Sequence, residues 1–175
     1  MNLETLKNTI GDYAKDIKLN ISGVLREDPT SGLTAAQILG IALASAYSTK
    51  SAAVIEALQG EAQGQLDTAM INAAKAAASI MAMNNIYYRF IHLASNAQYQ
   101  KMPAGLRMNI IANPGVDKVD FELMSLAVSA INGCGLCIDA HEKQLVKAGV
   151  KAETIQHTVK IAAVVHALEQ VVCLD

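Results

Sequence analysis

The chain contains no tryptophan and only five tyrosines and two phenylalanines among 175 residues. Aromatic and β-branched residues favour strands, whereas alanine, leucine and methionine favour helices. The hydrophobic fraction is nevertheless 52%. The composition therefore predicts one domain of close-packed helices without a sheet, with some helix faces buried against partner subunits.

A strong net charge is also missing. Fourteen basic and sixteen acidic residues give a formal charge of −2, which is too weak to attract nucleic acid or an anionic membrane surface. Residues 1–4 lack the basic region and apolar run of a signal peptide, and no segment approaches the ~20 apolar residues of a membrane span. We expect a cytoplasmic protein with neither nucleic acid nor membrane as a partner.

Cysteine is rare, with three residues in the chain, so a disulfide framework is not expected. In a reducing compartment, a Cys-x-x-Cys pair more often indicates redox or metal chemistry. Cys134 and Cys137 form such a pair, His141 follows four residues after the second cysteine, and Glu122 lies twelve residues before the first. These four residues are the candidate site.

Apolar spacing predicts a series of helices, and a capping box at Thr34 and Gln37 and a candidate N-cap at Asp67 predict where two of them begin. One stripe, formed by Leu3, Leu6, Ile10, Tyr13 and Ile17, predicts a single helix at the start of the chain. Further helices are predicted over residues 34–47, 52–61, 67–91, 118–131, 134–148 and 151–172, with Asn132-Gly133 ending the helix before the cysteines. Residues 98–115 contain two prolines and two glycines and are predicted to connect two halves.

The two halves share a sparse repeat at an offset of 84 residues, which pairs Leu39 with Leu123 and Ser45 with Ser129. The interpretation is one domain over residues 1–175, built from related halves at about 34–97 and 117–173. The first half has Lys50 and Ala53 where the second has the two cysteines, so the chemistry is predicted in the second half only.

Helical spacing assigns different surroundings to the two cysteines. Cys137 and His141, four residues apart, lie on the same helix face about one turn apart, so the imidazole can polarise the Cys137 thiol. Cys134 lies at the helix start, where unpaired N–H groups favour a thiolate. The sulfurs are spaced to close a disulfide. Glu122, on the preceding helix, is predicted to reach the other nitrogen of His141 and orient the ring.

Other kinds of chemistry fit this pattern of cysteine and histidine less well. A structural zinc site needs a fourth ligand, and His92, His157 and His166 are isolated. Haem attachment requires histidine directly after the second cysteine, where Ile138 stands, and thioredoxin-like chemistry requires a preceding strand. Cys173 is interpreted as a buried or incidental thiol. The polar-aromatic patch over residues 81–89 is interpreted as core packing or a subunit contact.

Glu122, Cys134-x-x-Cys137 and His141, on an all-helical duplicated chain, resemble the AhpD family of alkyl hydroperoxide reductases, within the carboxymuconolactone decarboxylase-like superfamily. The resemblance covers nearly the whole chain. Supporting stretches lie at residues 13–20, 83–85, 106–115 and 129–134. One departure is Leu136, where well-known members carry a second histidine that helps to move protons.

The resemblance implies a homotrimer with an antioxidant role and no tightly bound cofactor. It implies that the thiol pair reduces organic hydroperoxides, or reduces an AhpC-type peroxiredoxin, with electrons from a lipoyl-bearing acyltransferase. It also implies that Cys137 is the attacking thiol and Cys134 its proton donor and resolving partner. Two alternatives remain open: a lyase or isomerase as in the decarboxylase branch, and a metal-binding or interaction module.

Overall fold

A computed structural model describes residues 2–174 of the chain, and this range contains helices and no β-strand. The all-helical prediction is therefore confirmed. Short 3₁₀ turns occur at Asp12–Ala14 and Tyr99–Lys101. The helices are α1 (Leu3–Thr9), α2 (Lys15–Val24), α3 (Ala35–Thr49), α4 (Ala52–Ala62), α5 (Thr68–Leu93), α6 (Asn109–Ala112), α7 (Lys118–Ile131), α8 (Gly135–Lys147) and α9 (Ala152–Leu174).

Helix α3 is the centre of the fold. It begins at the predicted capping box, in which Thr34 accepts from the N–H of Gln37 and the Gln37 side chain accepts from the N–H of Thr34. Residues 38–46 are all buried, because α3 packs against α4, α5, α7 and α9. A helix that is apolar on every side requires such a position in the core.

The prediction of a single first helix is wrong. Helix α1 ends at Thr9, Ile10 has extended backbone (ψ 129°), and α2 starts at Lys15. Glycine is unfavourable inside a helix by about 1 kcal/mol, so Gly11 is a suitable place for the interruption. The break still lets Ile10 be buried, while Tyr13 is 64% exposed and does not belong to the apolar stripe.

Helix α9 has 23 residues and is apolar enough to cross a membrane by length and composition. The sequence-based prediction that no segment approaches such a span is therefore corrected. One such helix is weak evidence, because a core helix passes the same test. In the fold α9 packs against α2, α3 and α7, with Ile161, Val165 and Leu168 fully buried.

The helices of the two predicted halves follow the same order of lengths. Helices α3, α4 and α5 have 15, 11 and 26 residues, and α7, α8 and α9 have 14, 13 and 23. This order supports the duplication, which stays a prediction.

The connection between α7 and α8 determines where the cysteine pair lies. Asn132 ends α7, and Gly133 adopts a left-handed conformation (φ +65°) that residues with a side chain rarely take. The chain reverses there, so α8 packs back on α7 and on α5. The predicted stop at Asn132-Gly133 is confirmed.

Candidate redox site

Cys134 and Cys137 are joined by a disulfide, with their Cα atoms 5.3 Å apart. Cys134 is the N-cap of α8, and its sulfur accepts a hydrogen bond from the N–H of Cys137 at 3.3 Å. The predicted placement of Cys134 at the helix start is confirmed. Helix N-termini stabilise negative charge, so this position favours a thiolate when the disulfide opens.

The two sulfurs differ in access. Cys134 is completely buried, whereas Cys137 is 6% exposed and lines a cavity of about 430 Å³ between α5, α7 and α8. A small molecule that enters this cavity therefore meets Cys137 first. The lining residues are Met81, Asn84, Tyr88, Met108, Ile111, Lys118, Glu122, Leu136, Cys137, Ala140, His141 and Gln144.

Glu122 and His141 form a buried pair beside this cavity. Oε2 of Glu122 lies 2.7 Å from Nδ1 of His141, and the two residues are 5% and 8% exposed. The contact was predicted from the reversal of the chain after α7. A buried carboxylate needs such a partner, and the pairing fixes the orientation of the imidazole.

The second nitrogen of His141 has a partner that the sequence did not indicate. Nε2 lies 3.3 Å from Sδ of Met81, and the Met81 side chain is buried on α5. Cys137 Sγ instead faces the backbone carbonyl oxygen of Asn84 at 4.0 Å. In the disulfide state His141 is thus held between α7 and α5, and both His141 and Cys137 contribute to the wall of the same cavity.

A polar network, buried at Asn85 and Ser129, supports the turn that carries the cysteines. Asn85 Nδ2 donates to Oγ of Ser129 at 2.9 Å, and Asn132 Nδ2 donates to Oδ1 of Asn85 at 2.9 Å. Arg89 donates to the carbonyl oxygen of Asn132. Because these bonds join α5 to the end of α7, they fix the backbone immediately before Cys134.

Met81, Asn84 and Tyr88 line the cavity, although the sequence pattern predicted that the patch over residues 81–89 serves core packing or a subunit contact. Oδ1 of Asn84 is buried and has no hydrogen-bond partner among residues 2–174. Met108 also lines the cavity and accepts from the Tyr88 hydroxyl at 3.9 Å. Asn84 and Met108 fall within residues 83–85 and 106–115, which carry part of the family resemblance, whereas Met81 and Tyr88 lie outside those stretches.

Leu136 is 39% exposed and lines the cavity next to Cys137, so the departure from the family pattern lies in the site itself. Cys173 is exposed, and its sulfur lies 3.6 Å from Oε1 of Glu169. Desolvation and the negative charge of Glu169 raise the pKa of the Cys173 thiol. Cys173 is a free thiol outside the pair, and the interpretation that it is buried is wrong.

A larger depression, of about 880 Å³, is lined by residues of α1, α3, α4 and α5 and contains no cysteine or histidine. Within the described range, no group of three or more histidine, cysteine, aspartate or glutamate residues is arranged to hold a metal ion.

Comparison with known proteins shows the family of this chain. The chain is 58% identical over 173 residues to an alkyl hydroperoxide reductase AhpD of Coxiella burnetii, covering 99% of this chain and 98% of the relative. The chain belongs to the AhpD family. An AhpD of Brucella melitensis is 56% identical over 95% of this chain and 94% of its own length, and one of Rhodopseudomonas palustris is 54% identical over 96% and 91%.

The carboxymuconolactone decarboxylase family model matches residues 97–172. This segment contains all four predicted site residues of the AhpD chain, from Glu122 to His141. The family resemblance drawn from the sequence is thus confirmed.

Proposed function

We propose that this protein is an antioxidant alkyl hydroperoxide reductase whose Cys134–Cys137 pair passes electrons from a dithiol donor to an organic hydroperoxide. Cys137 is the attacking thiol, Cys134 the resolving thiol, and His141 with Glu122 the base that favours the Cys137 thiolate. The observation that carries this assignment is the difference in access, since Cys137 lines the cavity beside the His141–Glu122 pair and Cys134 is fully buried. Family membership supports the activity.

In the oxidative half of the cycle, Nε2 of His141 takes the Cys137 proton. The thiolate then attacks the terminal oxygen of the hydroperoxide, the O–O bond breaks, and Cys137 becomes a sulfenic acid. The alkoxide takes the Cys134 proton and leaves as an alcohol. The Cys134 thiolate then attacks the sulfenic sulfur, and the released hydroxide becomes water with a proton from solvent.

In the reductive half, a donor thiolate attacks the accessible Cys137 sulfur and Cys134 leaves as a thiolate. The second donor thiol then displaces Cys137, so the donor ends as a disulfide and the protein as a dithiol. Two electrons have moved from donor to cysteines. The cavity lining includes Tyr88 and the half-exposed Leu136, and this apolar surface suits a lipoyl-type dithiol on a carrier protein or an acyltransferase.

The proposed assembly is a cytoplasmic homotrimer that also reduces an AhpC-type peroxiredoxin. Support for self-association comes from α5, where Ile86, Phe90 and Leu93 are 67%, 51% and 72% exposed. Their spacing places them along one face of the helix. An exposed apolar stripe of this kind is typical of a protein–protein interface.

The test is a hydroperoxide-consumption assay with cumene hydroperoxide that compares dihydrolipoamide, thioredoxin and glutathione as donors, with and without a peroxiredoxin. We expect turnover with dihydrolipoamide. Failure with every donor, in the presence and absence of the peroxiredoxin, contradicts the proposal.

The Cys137→Ser variant is expected to lose turnover completely, because it has no attacking sulfur. Cys173→Ser is the matched control and should keep the wild-type rate. Full activity of Cys137→Ser would show that the attacking thiol is another residue. A count of reactive thiols with and without dithiothreitol should give two additional thiols on reduction in the wild-type protein.

A further inference from the structure

His141 has a hydrogen-bonding partner on each ring nitrogen. Oε2 of Glu122 lies 2.7 Å from Nδ1, and Sδ of Met81 lies 3.3 Å from Nε2. All three side chains are buried, and all three line the cavity beside Cys137. The proposed function uses Glu122 and His141 and assigns nothing to Met81.

The chemistry of the two partners determines the protons on the ring. A thioether sulfur carries no proton and can only accept, and an ionised carboxylate also only accepts. An imidazole placed between two acceptors makes both contacts favourable when each nitrogen carries a hydrogen, which is the imidazolium form. The negative charge of Glu122 balances the positive charge of that ring.

We infer that Met81 is a positioning residue which keeps Nε2 of His141 protonated while the cysteines form a disulfide. The inference rests on the proposed function, because the proton held there is the one that Cys137 receives during reduction. When the donor displaces Cys137 as a thiolate, the Nε2 proton passes to its sulfur, and the ring keeps the Nδ1 hydrogen against Glu122. The neutral ring is then the base for the next oxidative step.

A thioether suits this role better than an oxygen acceptor. Sulfur is a weak acceptor, so it holds the Nε2–H group in place without competing strongly with the Cys137 thiolate for the proton. The Met81 side chain is itself held, since it is fully packed on α5 and Nδ2 of Asn85 lies 4.0 Å from the same sulfur. Asn85 in turn belongs to the network that fixes the turn before Cys134.

The protons released and taken up balance over the complete cycle. The donor dithiol releases two protons when it is oxidised, and the cysteines need two. Cys134 takes one from the donor, Cys137 takes one from His141, and the remaining donor proton enters solvent. The oxidative half returns the Cys137 proton to His141 and takes one proton from solvent for the released hydroxide, which restores the starting state.

The test uses the full-length protein with ¹⁵N-labelled histidine, in long-range ¹H–¹⁵N spectra of the oxidised state at pH 7. These spectra distinguish the imidazolium from the two neutral tautomers. Wild type should show both His141 nitrogens protonated. Met81→Leu keeps the volume and removes the acceptor, and it should lose the Nε2 proton. Met81→Gln supplies an amide oxygen and should restore it, and Met124→Leu, at another buried methionine, should match wild type.

The kinetic measurement separates the two half-reactions. Reduction of the disulfide by dihydrolipoamide should be about tenfold slower in Met81→Leu, whereas oxidation of the reduced protein by cumene hydroperoxide should change less than twofold. Partial rescue of the reduction rate by Met81→Gln would support the role, because the amide oxygen restores the acceptor but holds the Nε2–H group more strongly than a thioether.

The inference would be overturned if Nε2 of His141 carried no proton in the oxidised wild-type protein, whatever the variants do. It would also be overturned if Met81→Leu had the wild-type spectrum and the wild-type reduction rate. Loss of the fold in Met81→Leu would leave the wild-type spectrum and Met81→Gln as the deciding measurements. A wild-type protein that neither accepts electrons from dihydrolipoamide nor passes them to hydroperoxide would instead contradict the proposed function, and the spectrum would still report on the ring.

Discussion

Replacing Glu122 by glutamine removes the negative charge that faces Nδ1 of His141 and leaves a side chain of nearly the same shape. In the wild-type protein the two groups are 2.7 Å apart and both buried. Glutamine keeps an oxygen acceptor at this position. The substitution therefore tests the charge of Glu122 rather than its volume.

The size of the effect follows from the kinds of hydrogen bond exchanged. A bond to a charged group contributes about 1.5–3 kcal/mol and a neutral one about 0.5–1.5 kcal/mol, so the change weakens the imidazolium by about 1–1.5 kcal/mol. One pH unit corresponds to about 1.4 kcal/mol. The imidazolium that forms when His141 takes the Cys137 proton is less stable in the variant. The pH at which the alkylation rate of Cys137 is half-maximal should therefore rise by about one unit.

The assay follows the rate of iodoacetamide labelling at Cys137 in the reduced protein between pH 5 and pH 10, with the labelled peptides separated by mass spectrometry. Cys173 is the internal reference, since desolvation and Glu169 raise its thiol pKa. Glu142→Gln is the matched variant, because it removes the same charge next to His141 from a residue that does not line the cavity.

An unchanged pH midpoint in Glu122→Gln would refute the role of the carboxylate in activating Cys137. An equal shift in Glu142→Gln would show that the effect is one of general charge and that the 2.7 Å contact has no special part in it.

Two further predictions concern neighbouring residues. Leu136→His restores the second histidine of the family pattern next to Cys137, and it should raise the rate of reduction by dihydrolipoamide about a hundredfold, at the lower end of the usual range of general acid–base effects; an unchanged rate between pH 6 and pH 8 would show that this path is not limiting. Asn85→Ala leaves the buried Ser129 hydroxyl and the half-buried Asn132 amide without their partner, and it should lower the free energy of unfolding by about 1–3 kcal/mol, measured by urea denaturation. Stability within 0.5 kcal/mol of wild type would contradict the importance of this network.

Much of the fold could be predicted because its signals are local. The capping box at Thr34 and the N-cap at Asp67 depend on residues within one turn, and both helices begin where those residues indicate. The prediction of a single first helix is wrong because five apolar residues at helical spacing do not reveal that the helix is interrupted at Gly11. Whether such a stripe continues through a glycine depends on what the buried Ile10 packs against, which is a tertiary contact.

The sequence by itself determined the part of the site that lies on one helix. Cys134, Cys137 and His141 lie along one face of α8 because helical spacing requires it, and Glu122 follows because the chain must reverse at Asn132-Gly133. The composition and the capping signals likewise required an all-helical core.

Tertiary structure decided the rest. Met81 and Asn84 lie 60 and 53 residues before their partners His141 and Cys137, and no local pattern specifies which face of α5 meets α8. The same packing buries Cys134 completely and leaves Cys137 at the cavity. Two cysteines that are equivalent in the motif therefore have different access to substrate, because access is a property of the helices packed around them.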